Sequence, residues 1–505
     1  MADVLLGQSY YLRFDPKSWA AQQPYPPLGT LYAASVLRSR GHDVALFDAM
    51  IAASDAEWGE MLERRRPRVA VIYEDSFNYL SKMCLSRMRE AALAMIDRAR
   101  ALGCPVIVSG SDATDHPGVY LDRGALAVAL GEGEFAVADL VDACLEGRGL
   151  HGIPGVATRG PDGAVQRGPA RAPSTDLDGL PRPAWDLVDV PRYRAIWRRH
   201  GYYSMNVATT RGCPFHCNWC AKPIYGQRYG VRSVASVVDE IAWLKRVYAP
   251  DHLWIVDDVF GLRPGWVEAF AAGIEAAGAR VPFRCLMRAD QVTPDVARAL
   301  ARAGCVMVWM GAESGSQTVL DAMEKGQTVA QIRAAARRLK AAGIQVGFFL
   351  QFGYPGEVWD DIQATLALVR EEAPDDIGVS VSYPLPGTRF HERVRAELGV
   401  KQHWVDSGDL SLMFRGAYAP DFYRELHRVV HGEFRARSSL RRARARAASV
   451  RGLPAAARHA AAAVYHAAGL VAARRRLARL AGRPVSPPPL VADAEGAPAG
   501  AGGAR

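Results

Sequence analysis

The chain has 505 residues, of which 49% are hydrophobic and 23% charged; this is an ordinary globular composition, long enough for two or three cores. Its net charge of +9 is uneven: between Phe434 and Ala492 there are 13 arginines and no acidic residue, which leaves the remainder at −4. A basic groove for nucleic acid across the body is thereby excluded, and no run of about 20 apolar residues occurs that would span a bilayer.

The opening MADVLLGQSYYLRFDPKSW lacks the basic start and long apolar run of a secretory leader. With eight scattered cysteines, a cytoplasmic, reducing setting is expected. Residues 1–150 alternate short apolar runs with helical patterns. DVLLG (3–7), DVALFD (43–48), VAVIYED (69–75), PVIVSG (105–110) and ALAVAL (125–130) read as buried strands. LGTLYAASVLRSRG (28–41), MREAALAMIDRARALG (88–103) and the stretch after GEGE (131–134) read as helices. That alternation predicts a doubly wound, Rossmann-like parallel sheet with its ligand edge at the carboxyl ends of the strands. No GxGxxG is present, so a dinucleotide is not favoured.

Residues 151–200, rich in Pro, Gly, Asp and Arg, read as a surface linker. Alternation resumes over 201–400, with strands expected at 203–210, 252–258, 283–289, 306–311, 345–353 and 376–384. Six strand–helix units predict a partial (β/α)6 barrel whose functional loops follow the strands. Residues 401–482 read as a helical region and 483–505, rich in Pro, Ala and Gly, as a disordered tail.

Directly after the first barrel strand stands RGCPFHCNWCAKP (211–223). Cys213, Cys217 and Cys220 form a trio, where structural zinc sites build on paired cysteines or on cysteine with histidine. A [4Fe–4S] cluster held by three thiolates keeps one iron open for a further ligand. A zinc knuckle completed by His216 or a distant residue is the bland alternative. The other cysteines, Cys84, Cys104, Cys144, Cys285 and Cys305, read as small buried residues.

This CxxxCxxC loop, with Trp219 before its last cysteine, resembles the signature of radical S-adenosylmethionine enzymes. The N-terminal α/β half, with GEGE (131–134), LPRPAWDL (180–187), GAESGSQTVLDAMEKG (311–326), FGYPGE (352–357) and YPLPGT (383–388), resembles the cobalamin-dependent subgroup. That subgroup contains the anaerobic magnesium-protoporphyrin cyclase, hopanoid-modifying enzymes and natural-product C-methyltransferases. The resemblance implies three cofactors: a [4Fe–4S] cluster on the three cysteines, S-adenosylmethionine on the open iron, and cobalamin. It implies formation of a 5′-deoxyadenosyl radical and methyl transfer to an unactivated carbon. Oxidation or ring closure of a porphyrin- or terpenoid-like substrate is the alternative within the class, and a non-catalytic iron–sulfur or zinc module the alternative outside it. Trp219, Asp257, Arg288, Glu313, Ser314 and Gln351 fall where the family contacts S-adenosylmethionine. Ser109, Gly110, Gly131, Glu132 and Gly133 are the candidates for cobalamin. No DxHxxG occurs in residues 1–150, the near miss running from Asp112 to Gly118 with His116 misplaced, so no axial histidine is expected. Implied partners are a small molecule, lipid- or porphyrin-like in one version, and a reductase, flavodoxin or ferredoxin as electron donor. The basic C-terminal region is a candidate for contact with an anionic membrane surface.

Overall fold

Runs of four or five β-branched and apolar residues, each ended by a glycine or polar turn, are too short for helices and are buried on both faces. In the computed structural model, which describes residues 2–83, 85–220, 224–398, 410–449 and 453–483, they become the strands of two parallel sheets. The first holds β1 (Val4–Gly7), β2 (Val44–Phe47), β3 (Val69–Tyr73), β4 (Val106–Ser109) and β5 (Ala127–Ala129), and every residue of these five is buried. Helices Leu28–Ser39 and Glu134–Leu145 cover one face, and Ala56–Arg65 and Ser86–Ala101 the other.

Two further strands, β6 (Val156–Arg159) and β7 (Val165–Arg167), extend this sheet antiparallel, in the order β2-β1-β3-β4-β5-β6-β7. They come from the stretch expected to be a linker. Its Pro- and Gly-rich composition concealed them because an edge hairpin is short and keeps one strand in solvent. The same stretch buries Trp185, Tyr193 and Trp197. The strand order reverses between β1 and β3, which places a crevice at their carboxyl ends.

The second sheet holds β8 (Ser204–Val207), then, after the small hairpin of β9 (Thr210–Arg211) and β10 (Gly230–Val231), β11 (His252–Ile255), β12 (Phe283–Met287), β13 (Cys305–Glu313), β14 (Gln345–Phe352) and β15 (Asp376–Val381). Its order is β15-β14-β13-β12-β11-β8, all parallel. This is a six-stranded partial barrel whose two edges, β8 and β15, do not pair. The chain just before helix Leu28–Ser39 runs along β8: the Asn206 amide donates to the Pro26 carbonyl and the Tyr25 hydroxyl to Ser204. At the other edge, helix Pro420–Ala447 packs on β15 and on helix Trp359–Glu372. Arg370, Arg437 and Arg474 all converge there on Glu433. Helices Leu453–Ala468 and Leu470–Ala481 complete a helical C-terminus. No described helix is long and apolar enough to cross a membrane. Of the tail expected at 483–505, all but Arg483 lies outside the described residues.

Candidate cofactor site at the barrel mouth

The cysteine loop leaves β9 at Gly212, whose φ of +74° suits glycine; a Cβ there would meet the Arg228 carbonyl oxygen at 2.2 Å. Cys213 and Cys217 are buried and Cys220 half-buried. Asn218, between the last two, ties the loop down. Its side-chain amide donates to the Ala322 carbonyl at 2.8 Å, its backbone N–H donates to Met323, and its carbonyl accepts from Phe390. The Tyr354 hydroxyl donates to the Asn218 side-chain oxygen at 2.9 Å. Trp219 packs on the cluster of Val319, Met323, Tyr354 and Phe390, with its indole N–H buried and unpartnered. Among the described residues, no three His, Cys, Asp or Glu side chains converge on one point as a single metal ion requires. A cubane offers each thiolate its own iron, so its ligands need not converge in that way.

The strand ends surround this loop. Asp257, 1% exposed, accepts from the Thr209 N–H at 2.7 Å, the Thr210 N–H at 3.0 Å and the Thr209 hydroxyl. Burial pushes its carboxyl up to about 7 in spite of those donors. Asp258 pairs at 2.6 Å with Lys82 of the first domain. Adjacent residues on an extended chain point opposite ways, which separates the two carboxylates. Arg288, at the end of β12, is buried: it forks onto Asp290, donates to the Gly326 carbonyl, and lies 3.6 Å above the Phe215 ring of the cysteine loop. Glu313, at φ +56°, pairs with Lys325 at 2.8 Å, both side chains being almost fully buried. Burial alone would lower the Lys325 ammonium, yet Glu313 and nearby Cys217 hold it above its ordinary value. The Ser314 hydroxyl bonds Thr365 at 3.0 Å, and the Gln351 amide donates to Ser382 at 2.9 Å.

Opposite the loop stands the carboxyl edge of the first sheet. Ser109 ends β4 and packs over Gly133, where a Cβ would meet the serine oxygen at 2.1 Å. Gly110 lies against Glu74, whose side chain a Cβ would meet at 2.8 Å, and the Gly131 N–H donates to Thr114. Glu132 is engaged differently from a simple ligand contact: it accepts from the Ser174 N–H and pairs with Arg211. Arg211 also pairs with Glu134 at 2.9 Å and lies over the rings of Tyr32, Phe77 and Tyr225. Burial disfavours its charge, but Glu134 and Glu132 hold the guanidinium firmly protonated. The residue before the cysteine loop is thus stapled to the GEGE turn. Two buried polar groups have no partner: the Gln8 amide nitrogen, directly after β1, and the hydroxyl of Ser81, in the helix Tyr79–Met83 between β3 and β4. Tyr79, 65% exposed, reaches from the first domain close enough to Cys220 and Glu313 to feel their charge.

Arg211, Asn218, Lys325 and Tyr79 were not foreseen from sequence. Arg211 carried a signal, a lone cation in the apolar run NVATTRGC facing an acidic GEGE turn. Cys104, Cys285 and Cys305 are buried and Cys144 half-buried; Cys84 lies outside the described residues.

A doubly wound sheet whose ligand edge faces a three-cysteine loop at the mouth of a partial barrel defines a two-domain cofactor protein. Residues 207–369 match the family model of the Radical SAM superfamily, and the chain carries a radical SAM domain. Over 375 residues it is 29% identical to an uncharacterized methyltransferase of Pyrococcus horikoshii, covering 73% of this chain and 78% of that protein. Over 294 residues it is 27% identical to the anaerobic magnesium-protoporphyrin IX monomethyl ester cyclase of Rubrivivax gelatinosus, covering 55% of this chain and 50% of the cyclase. The fold matches the radical S-adenosylmethionine methyltransferase TsrM of Kitasatospora setae, solved with cobalamin and a [4Fe–4S] cluster, at a TM-score of 0.63 and 22% identity over 75% of each chain.

Proposed function

We propose that the protein is a radical S-adenosylmethionine methyltransferase that acts on an unactivated carbon of a small molecule. It would hold a [4Fe–4S] cluster on Cys213, Cys217 and Cys220 and cobalamin at the carboxyl edge of the first sheet. The carrying observation is the placement of the three-thiol loop at the barrel mouth, directly opposite the switch point of a Rossmann-like sheet. The residues fit both groups. Three thiols share one loop beside the buried cation Lys325, and unpartnered polar atoms of Trp219 and Gln327 lie by it. Gln8, directly after β1, supplies an unpartnered amide nitrogen at the β1/β3 crevice.

When bound, the reduced cluster supplies the electron that cleaves the sulfonium of S-adenosylmethionine, and cobalamin supplies the methyl group. The chain's own residues position and exclude water. Asn218 and Tyr354 fix the cysteine loop, Trp219 and Gln351 flank the adenosyl side, and Arg288 and the Glu313–Lys325 pair supply charge for the methionine end. Asp257 holds the β8–β9 turn from which the loop departs. Gly131, with nothing nearer to a Cβ than the Ile224 carbonyl oxygen at 3.6 Å, leaves the sheet edge low so that a flat macrocycle can approach the backbone, while Gly110 and Gly133 make room for the Glu74 and Ser109 side chains beside it. No disulfide joins the described cysteines, in keeping with a cytoplasmic setting and a flavodoxin or ferredoxin donor. Val464 and Tyr465, 70% and 79% exposed, are the residues through which the C-terminal helices would touch an anionic membrane.

The test is anaerobic reconstitution with iron, sulfide and cobalamin, followed by reduction in the presence of S-adenosylmethionine. We expect about four irons per chain, a cobalamin absorbance, and 5′-deoxyadenosine formation lost in the triple Cys→Ala variant. With substrate, S-adenosylhomocysteine beside 5′-deoxyadenosine supports methylation, whereas 5′-deoxyadenosine alone supports oxidation. Retained cleavage in the triple variant would sink the ligand assignment.

A further inference from the structure

Successive side chains of a strand point to opposite faces. In the partial barrel, Cys285, Val308, Met310, Val346 and Phe348 pack beneath the helices in the main core. Their neighbours Arg284, Leu286, Trp309, Gly347, Phe349 and Gly378 therefore face the barrel interior. Trp309 and Phe349 stack there, with ring centroids 4.7 Å apart and planes 21° from parallel. Two glycines give these rings their room. A Cβ on Gly347 would come within 2.4 Å of the Trp309 ring, and one on Gly378 within 2.9 Å of the Phe349 ring. Neither glycine has a positive φ, so close packing of the rings, not backbone geometry, calls for them. Phe349 is nevertheless 39% exposed. It presents a flat apolar face one inward step beneath Gln351, directly under the strand ends that surround the cysteine loop.

The lower end of this wall is cationic. Trp309 is level with Leu286, and Arg284 lies one inward step, about 6.6 Å, below that level. Its guanidinium sits 4.7 Å over the Trp254 ring and donates to the Tyr25 hydroxyl at 2.8 Å. Its Nε–H is buried without a hydrogen-bond partner. Asp376, level with Gly347, feels Arg284 together with Arg435 and Arg442 of the C-terminal helix, three cations for one carboxylate. His427 and His431 on that helix stay neutral through burial, with Lys17 and Arg435 close by.

We propose that the barrel interior binds a planar conjugated ring system carrying a carboxylate, the ring lying on the Trp309–Phe349 wall and the acid on the free Nε–H side of Arg284. The assignment rests on the radical S-adenosylmethionine reading only for the claim that this ligand is the substrate. An aliphatic chain would gain only area burial from this wall and forgo the stacking that a flat ring adds, and a neutral ring would leave the Arg284 donor unmet.

The test titrates the reconstituted protein calorimetrically with 2-naphthoate, with 2-naphthamide as the neutral ring and cyclohexanecarboxylate as the acid without a plane. We expect one naphthoate per chain, bound roughly tenfold more tightly than either comparator. Phe349→Ala and Gly347→Ala should each weaken both naphthyl ligands about tenfold, and Arg284→Gln should abolish the preference for acid over amide. Thermal melts check that each variant folds, and Phe349→Leu replaces the alanine variant if that one does not. Absence of saturable naphthoate binding, or affinities unchanged in the Phe349 and Gly347 variants, overturns the site. A surviving acid preference in Arg284→Gln overturns the role of Arg284. A protein that binds naphthoate as described yet fails to cleave S-adenosylmethionine refutes the catalytic reading and leaves the site standing, while the reverse pattern refutes the site alone.

Discussion

Arg211 stands one glycine ahead of the first cysteine and is 6% exposed, a position where an unpaired guanidinium would not be tolerated. Two carboxylates from the GEGE turn meet it, and three aromatic rings surround it. Removing one partner of such a group strands the others, so the loss exceeds the net worth of the interaction itself. Arg211→Gln is expected to cost about 3–5 kcal/mol of unfolding free energy, read from denaturant midpoints, because Glu132 and Glu134 are left buried and uncompensated. Arg211→Lys should recover less than half, since a point charge cannot fork onto two carboxylates that approach from different sides. A loss below about 1 kcal/mol in the glutamine variant would place the pair in the range of surface ion pairs and contradict the staple.

At the scale of an element, the turn after β14 shows how a motif residue acts. Gly353 has φ +77°, and a Cβ there would press on Leu412 and Tyr423 at 3.0 Å. Its N–H donates to the Glu357 carboxylate at 2.6 Å, and burial pushes that carboxyl from 4.5 up to about 8. A raised carboxyl means that the folded chain holds a proton that the unfolded chain has released. This contribution is therefore complete below pH 4.5 and is lost as pH rises towards 8. Melting temperatures should fall between pH 5 and pH 8.5 more steeply in the wild type than in Glu357→Gln, which mimics the neutral acid. Asp257 and Glu74, each pushed up to about 7 by burial, keep some slope in the variant; equal slopes would remove Glu357 as a contributor. The strands themselves were legible in sequence because parallel strands buried on both faces read as plain apolar runs. VAVIY and VIVS match β3 and β4, and LGTLYAASVLRSRG matches the helix Leu28–Ser39. The cysteine trio was equally legible, being local in the chain. What sequence could not supply was pairing over distance: Arg211 with Glu132, 79 residues away, Asp258 with Lys82, 176 away, or Tyr354 with Asn218, 136 away. The first two contacts depend on how the two sheets dock and the third on how the barrel brings β14 beside the cysteine loop, and no periodicity encodes either.

Across the whole molecule, the two α/β units share one apolar core. Leu28, Leu31, Tyr32 and Phe77 of the first unit belong to the same buried cluster as Met205, Ile224, Tyr225 and the inner barrel helices. The Ser76 and Tyr225 hydroxyls bond across the junction at 2.5 Å, and Tyr32, Phe77 and Tyr225 enclose the Arg211 guanidinium. An interface that is apolar at its centre and holds a desolvated ion pair couples the units far more strongly than a polar, mobile domain contact would. The full chain is therefore expected to unfold in a single calorimetric transition, with calorimetric and van't Hoff enthalpies equal within error. Tyr225→Ala should break this coupling. It opens a cavity at the junction, removes the Ser76 bond and exposes the buried cation to water, so that two transitions emerge, the lower one shifting with cobalamin concentration if that edge binds it. Two resolved transitions in the wild-type protein would show that the units fold independently. The cysteine loop and the sheet edge would then be aligned by ligands instead of by the protein, and the Arg211 staple would be a consequence of closure instead of its cause.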